Sequence, residues 1–157
     1  MDVKQYFLNL LQQQKSGSDE GICSICSANA FVIEAAMEFG LTHGCAVLIE
    51  ATANQVNQYG GYTGMQPADF AAYVRSLAAK VGFPLEQLIL GGDHLGPLTW
   101  SGEAEEEAMT KAEVLIDAFV RAGFRKIHLD TSMRLKDDPI DQPLTDETIA
   151  RRAARLC

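Results

Sequence analysis

The chain has 157 residues, 47% of them hydrophobic and 22% charged, a composition that supports one sizeable core and that we read as a single domain over 1–157. A formal charge of -8 at pH 7 argues against nucleic acid and anionic membrane surfaces as partners. No apolar run approaches the ~20 residues of a spanning helix, and the opening MDVKQYFLNLLQQQKSGSDEG lacks the basic leader and small-residue cleavage site of a signal peptide, so a cytoplasmic protein is expected.

Val3, Phe7, Leu10 and Leu11 recur at helical spacing and predict an amphipathic helix ending near KSGSDEG. A strand is expected over 21–27. It contains Cys23 and Cys26, which a strand places on opposite faces; with no second ligand pair for zinc, they read as buried inert thiols. Val32, Ala35, Ala36 and Phe39 then mark a helix face, closed by Gly40. AVLIEAT (46–52) is a second, fully buried strand, followed by a glycine-rich loop and a helix opened by Pro67. Phe70, Val74, Leu77 and Val81 form its inner face, and Gly82 ends it. Residues 88–91 are the third strand. The next helix starts among Glu103, Glu105, Glu106 and Glu107, which suit the positive end of its dipole, and turns Leu115, Ile116 and Phe119 inward. KIHLD (126–130) is the fourth strand, and Thr145 caps a last helix carrying Arg151, Arg152 and Arg155.

A helix followed by four βα units implies a parallel sheet with right-handed crossovers. A doubly wound sheet would carry a phosphate loop after its first strand, and GICSICSAN matches neither glycine-rich phosphate motif. A (β/α)8 TIM barrel fits better because polar residues gather after each strand. A complete barrel takes ~250 residues, so the N-terminal helix and first four βα units are expected here, either as the N-terminal half of a longer protein or as a half that pairs with another.

In a barrel the site lies at the carboxyl ends of the strands. The candidates there are Asn29, the stretch 50–58, Asp93 and His94, and Asp130, Thr131 and Ser132. An imidazole at 94 can hold a divalent cation while the adjacent carboxylate moves a proton; alternatively His94 bonds a loop carbonyl and Asp93 caps a turn. Asn54, Gln55, Asn57 and Gln58 offer amides to sugar hydroxyls, and Gly60, Gly61 and Gly64 let backbone N–H groups approach an anion. The alternative is a long loop that satisfies itself. Glu50, in an apolar strand, needs a partner: it is a site acid or an anchor for the loop amides. His128 reads as a satisfied core histidine.

GICSICSANAFVIEAA, VLIEATANQVNQYGGYTGMQPADF, LILGGDHLGP and AGFRKIHLDTSM closely resemble the non-catalytic subunit family of class II D-tagatose-1,6-bisphosphate aldolase, from about Gly21 to Cys157. Members are considerably longer, so the chain resembles an N-terminal half. The resemblance implies a class II aldolase-like barrel that supports the stability and activity of a catalytic aldolase subunit in galactitol and N-acetylgalactosamine catabolism. The family has also been labelled tagatose-6-phosphate kinase; no Walker motif or kinase catalytic loop is present, and no nucleotide is expected. A remoter likeness is to the catalytic class II aldolases, which are metal-dependent and cleave the sugar bisphosphate themselves. Their third strand ends in an Asp-His pair, acid/base and zinc ligand, matched by Asp93 and His94. Their fourth ends in Asp-x-Ser, matched by Asp130 and Ser132, while Glu50 stands where they carry Gln. Substrate contacts would come from Glu50, Asn54, Gln55, Asn57, Asp130 and Ser132. Their remaining metal ligands lie on later strands, so Zn2+ would be weakly held or absent in this subunit alone. A sugar phosphate ligand and an oligomer are implied as well.

Overall fold

The computed structural model describes residues 2–157. A first helix, α1 (Val3–Lys15), precedes β1 (Ser24–Cys26), α2 (Ala30–His43), β2 (Val47–Thr52), α3 (Pro67–Val81), β3 (Leu88–Leu95), α4 (Glu105–Arg121), β4 (Lys126–Leu129) and α5 (Asp146–Leu156). All four strands run parallel in the order β1-β2-β3-β4. When consecutive parallel strands are also neighbours, right-handed crossovers place every connecting helix on the same face. The fold is therefore singly wound, as at the start of a TIM-barrel-like fold, whereas a doubly wound sheet reverses its strand order and is covered on both sides.

Successive side chains on a strand point to opposite faces, and the two faces differ in chemistry. Val47, Ile49 and Ala51 of β2 and Leu90 and Leu95 of β3 join Phe70, Val74, Met109, Leu115 and Phe119 of α3 and α4 in the main core. The other face carries Ser24, Cys26, Glu50, Asp93, Lys126 and His128. Cys26, Glu50, Gly91 and Lys126 lie in one lateral row, as the register pairs 26 with 50, 50 with 91 and 91 with 126. Lateral alignment brings Glu50 and Lys126 to either side of position 91. Glycine leaves the space between them open: a Cβ there would lie 2.3 Å from Glu50 Oε1.

Helix ends follow local chemistry. Asn29 caps α2 by accepting from the N–H groups of Phe31 and Val32. Pro67 opens α3, which closes on Gly82 in the left-handed region. Thr145 caps α5. The last helix is anchored by Arg152, fully buried, whose guanidinium meets Asp138 at 2.7 Å and 2.9 Å and Glu105 at 2.7 Å. Among the described residues, no helix is long and apolar enough to cross a membrane.

Three expectations are corrected. The helix after β1 buries Ile33, Met37 and Gly40, while Val32 and Phe39 are exposed. It runs on to Gly44, the residue in the left-handed conformation. Gly40 is a packing notch, where a Cβ would come within 2.5 Å of Val47 Cγ2 and 2.8 Å of the Phe83 ring. Cys23 and Cys26 are exposed, because β1 spans only three residues and, among the described residues, no strand flanks its outer edge. The third strand continues beyond Gly91 and includes Asp93 and His94 themselves.

Candidate functional site

The carboxyl end of β3 explains the stretch GGDHLGP residue by residue. Gly91 makes room for Glu50. Asp93 follows on the same face. The ladder with β4 then slips between Gly92 and Leu95, and His94 occupies the irregularity with φ of 48°, the sole non-glycine residue of positive φ among the described residues. Gly96 passes against the next strand end, since a Cβ there would lie 1.9 Å from the Asp130 carbonyl oxygen.

These features set two histidines face to face. The rings of His94 and His128 lie 4.4 Å apart, centre to centre. Each meets a carboxylate from the other's strand end: His94 Nδ1 lies 2.8 Å from Asp130 Oδ2, and His128 Nδ1 lies 3.0 Å from Asp93 Oδ1. Burial pushes Asp93 up, but the His128 hydrogen bond, His94 and the Lys126 ammonium outweigh it and hold its carboxyl below the usual range. Burial likewise raises Asp130, and the Ser132 hydroxyl and N–H together with His94 bring it down to about 2. Both acids are thus ionised near neutral pH and can only accept. It follows that both Nδ1 atoms carry protons and, in the neutral imidazoles, both Nε2 atoms present lone pairs. Ligand atoms of Asp93, His94 and His128 all lie within 4.8 Å of one another. Two imidazoles and a carboxylate form a donor set suited to a borderline divalent cation such as zinc.

Below this cluster lies the pair Glu50–Lys126. Glu50 is fully buried; Lys126 Nζ stands 2.7 Å from Oε1, and the Ser24 hydroxyl donates to Oε2. Burial raises the Glu50 carboxyl above its ordinary value in spite of Lys126. Partial desolvation of its sulfur by the neighbouring sheet residues, with the Asp93 carboxylate beside it, pushes the solvent-edged Cys26 up to about 11, so it stays a thiol at neutral pH.

The other predicted positions separate into those facing the cluster and those holding the scaffold. A hollow of about 230 Å³ is lined by Thr52, Asn54, His94, Thr99, Asp130 and Met133, among others. Asn54 is exposed there and accepts from the Thr99 hydroxyl at 2.9 Å. Ser132 bonds Asp130 at 2.6 Å. Asn57 is turned inward: it donates to the Ala53 carbonyl and accepts from the N–H groups of Tyr59 and Gly61. Gln55 takes the Thr52 N–H on its side-chain oxygen, and Gln58 donates to the Lys111 carbonyl. The N–H groups of Gly60 and Gly61 both bond to Asn57, so the glycine loop largely satisfies itself. Thr131 is buried and its hydroxyl donates to the Ile149 carbonyl, away from the cluster. Glu50 anchors the sheet through Ser24 and Lys126 rather than through loop amides. His128 corrects its expectation most clearly: it is exposed and belongs to the cluster. Its apolar neighbours Ile127 and Leu129 point the other way, into the core. Lys126 went unnoticed in the sequence; its one signal was a lysine at the same strand parity as His128 and Asp130.

A parallel sheet with helices alternating along it, and acid–histidine pairs gathered at its carboxyl end, defines an α/β protein of TIM-barrel-like beginnings with a polar strand-end site. Residues 7–157 match the family model described as D-tagatose-1,6-bisphosphate aldolase subunit GatZ/KbaZ-like, and the chain belongs to that family. It is 58% identical over 149 residues to the D-tagatose-1,6-bisphosphate aldolase subunit GatZ of Klebsiella pneumoniae subsp. pneumoniae, covering 95% of this chain and 35% of the relative. Identity to the Escherichia coli subunit of the same name is 57%, over 94% of this chain and 35% of the relative. A crystal structure described as a probable tagatose 6 phosphate kinase from Sinorhizobium meliloti 1021 superposes with a TM-score of 0.83 at 55% identity, covering 87% of this chain and 35% of that one. The chain therefore spans about a third of the length of these relatives, less than the half expected from its strands.

Proposed function

We propose that this chain supplies, within residues 1–157, the N-terminal helix and first four βα units of a (β/α)8 barrel in a cytoplasmic subunit of class II D-tagatose-1,6-bisphosphate aldolase. The subunit supports a catalytic aldolase partner in an oligomer serving galactitol and N-acetylgalactosamine catabolism, and is not catalytic alone. The observation that carries this reading is the acid–histidine cluster at the carboxyl end of a singly wound sheet, in a chain of this family. Such a cluster is the place where a barrel of this class handles a sugar phosphate. On this reading Asp93 would exchange a proton with a bound substrate, and Asn54 together with Asp130, backed by its partner Ser132, would hold the substrate's hydroxyls. Zn2+, where bound, would meet His94 and supply the Lewis acidity that polarises a ketone. A kinase reading has less support, because the glycine loop turns its N–H groups onto Asn57 and no Walker motif is present.

The test is co-expression of the intact protein that carries this chain with a catalytic class II tagatose-bisphosphate aldolase. Co-purification and a longer half-life of aldolase activity on warming are expected. Separate elution with an unchanged half-life would overturn the reading.

A further inference from the structure

We propose that His94 and His128 together, each steadied by a carboxylate from the neighbouring strand end, form a two-histidine site for a borderline divalent cation within this chain. This deepens the subunit reading above. It also departs from the arrangement implied by the resemblance to catalytic aldolases, which take one histidine from this region and the others from later strands.

Three observations converge. The first is hydrogen bonding. A metal-binding histidine usually donates its other ring N–H to a carboxylate, which fixes the tautomer and makes the free nitrogen more basic. Both histidines here have that support, and it is crossed: Asp130 after β4 holds His94 of β3, and Asp93 of β3 holds His128 of β4. The crossing ties the end of β3 to the end of β4 through two separate hydrogen bonds. The second is backbone conformation. The left-handed region is unfavourable for a residue that carries a Cβ, yet position 94 is occupied by histidine at φ 48°. That conformation, inside the slipped register, is what sets its ring beside His128. The third is accessibility. The His94 and His128 side chains are 52% and 44% exposed, so an ion can reach them without opening the core. The third group of the cluster, Asp93, adds a carboxylate within reach. Ser132 is committed to Asp130 and Gln55 to the Thr52 N–H, while Lys126 sits 2.7 Å from Glu50 and farther, at 3.9 Å, from Asp93 Oδ1.

Co2+ is the probe, because its visible absorption reports the ligand set. The intact protein is stripped of metal and titrated with Co2+ alone, without any aldolase partner. One equivalent is expected to bind. His94→Gln and His128→Gln should each weaken binding at least tenfold, and Asp130→Asn, which weakens the support of His94 while leaving both imidazoles in place, by ~10–100-fold. The melting temperatures of the metal-free variants should stay close to wild type. X-ray absorption of the Zn2+-loaded wild type should count two imidazoles, a measurement that does not depend on any variant folding. A His128→Gln protein that binds Co2+ like wild type, a count of one imidazole or none, or a wild type that takes up no stoichiometric metal would each overturn the proposal. Because no partner is present, two-histidine binding with no effect on a co-expressed aldolase would defeat the subunit reading alone.

Discussion

Replacing Lys126 by methionine tests the account of the inner face at its most sensitive point. The side chain keeps much of its length but loses its charge. Glu50, fully buried, is left with the Ser24 hydroxyl and no cation at 2.7 Å. Removing one partner of a buried ion pair costs about 3–5 kcal/mol, because the remaining charge is uncompensated. The penalty depends on pH with a definite sign. Burial already holds the Glu50 carboxyl above its ordinary value, and Lys126 opposes that rise; without the lysine it climbs further. A raised carboxyl binds its proton more tightly folded than unfolded, so stability is fully present below the unfolded value and is lost as pH rises through the folded one. The variant should therefore approach wild type near pH 4–5 and diverge toward pH 7–8, where wild type has a charged pair and the variant a lone carboxylate. Urea denaturation followed by circular dichroism at both pH values measures this. Adding Glu50→Gln should recover most of the loss, since an amide carries no charge to strand. A pH-independent penalty, or one below about 1 kcal/mol, would refute the reasoning.

Two further perturbations test the scaffold. Glu105 is held down at about 2, chiefly by the Arg151 hydrogen bond, against an opposing contribution from burial and with further help from Arg152. Its contribution is present above the unfolded carboxyl value and disappears as pH falls through the folded one, so wild type should lose stability between about pH 4.5 and 2 and Glu105→Gln should lose less; superimposable acid limbs would contradict this. Gly40→Ala should destabilise by about 1–3 kcal/mol, because a Cβ 2.5 Å from Val47 Cγ2 overpacks the core by more than the ~1 kcal/mol that alanine gains in a helix; a stabilised variant in thermal melts would show that the notch is not needed.

Local chemistry was legible in the sequence where one pattern dominated. The inner face of α3 follows from Phe70, Val74 and Leu77, its stop from Gly82, and the start of α5 from Thr145. The helix after β1 misled because AFVIEAAMEFGL is apolar nearly all round, so periodicity selects no face, and a glycine that is a notch reads like a glycine that is a stop. The site divides in the same way. Asp93, His94 and Asp130 announce themselves as polar residues ending apolar strands. His128 does not, because its meaning depends on Asp93, 35 residues away, and that partnership exists only once β3 and β4 pair. Glu50 raised the right question, but Lys126, its answer, lies still farther along the chain.

The two layers of polar residues on the inner face serve different ends, and their order along the strands explains why both can exist. An ion pair deep in the sheet adds little net stability, since desolvation offsets its attraction. Its effect is on register: β2 and β4 each turn one charge to this face, and a one-residue slip of either strand would turn its charge into the helix-covered core. That fixed register carries upward to the next layer. With 50 opposite 91 and 91 opposite 126, Asp93 and His128 necessarily arrive side by side, and the slip after Gly92 then delivers His94 to Asp130. The buried pair sets the alignment, and the exposed histidines above it inherit a geometry that their own hydrogen bonds only lock. On this account Lys126→Met should loosen the cluster, both through the register and through the lost 3.9 Å approach to Asp93 Oδ1, while His94→Gln should leave the register of the sheet intact.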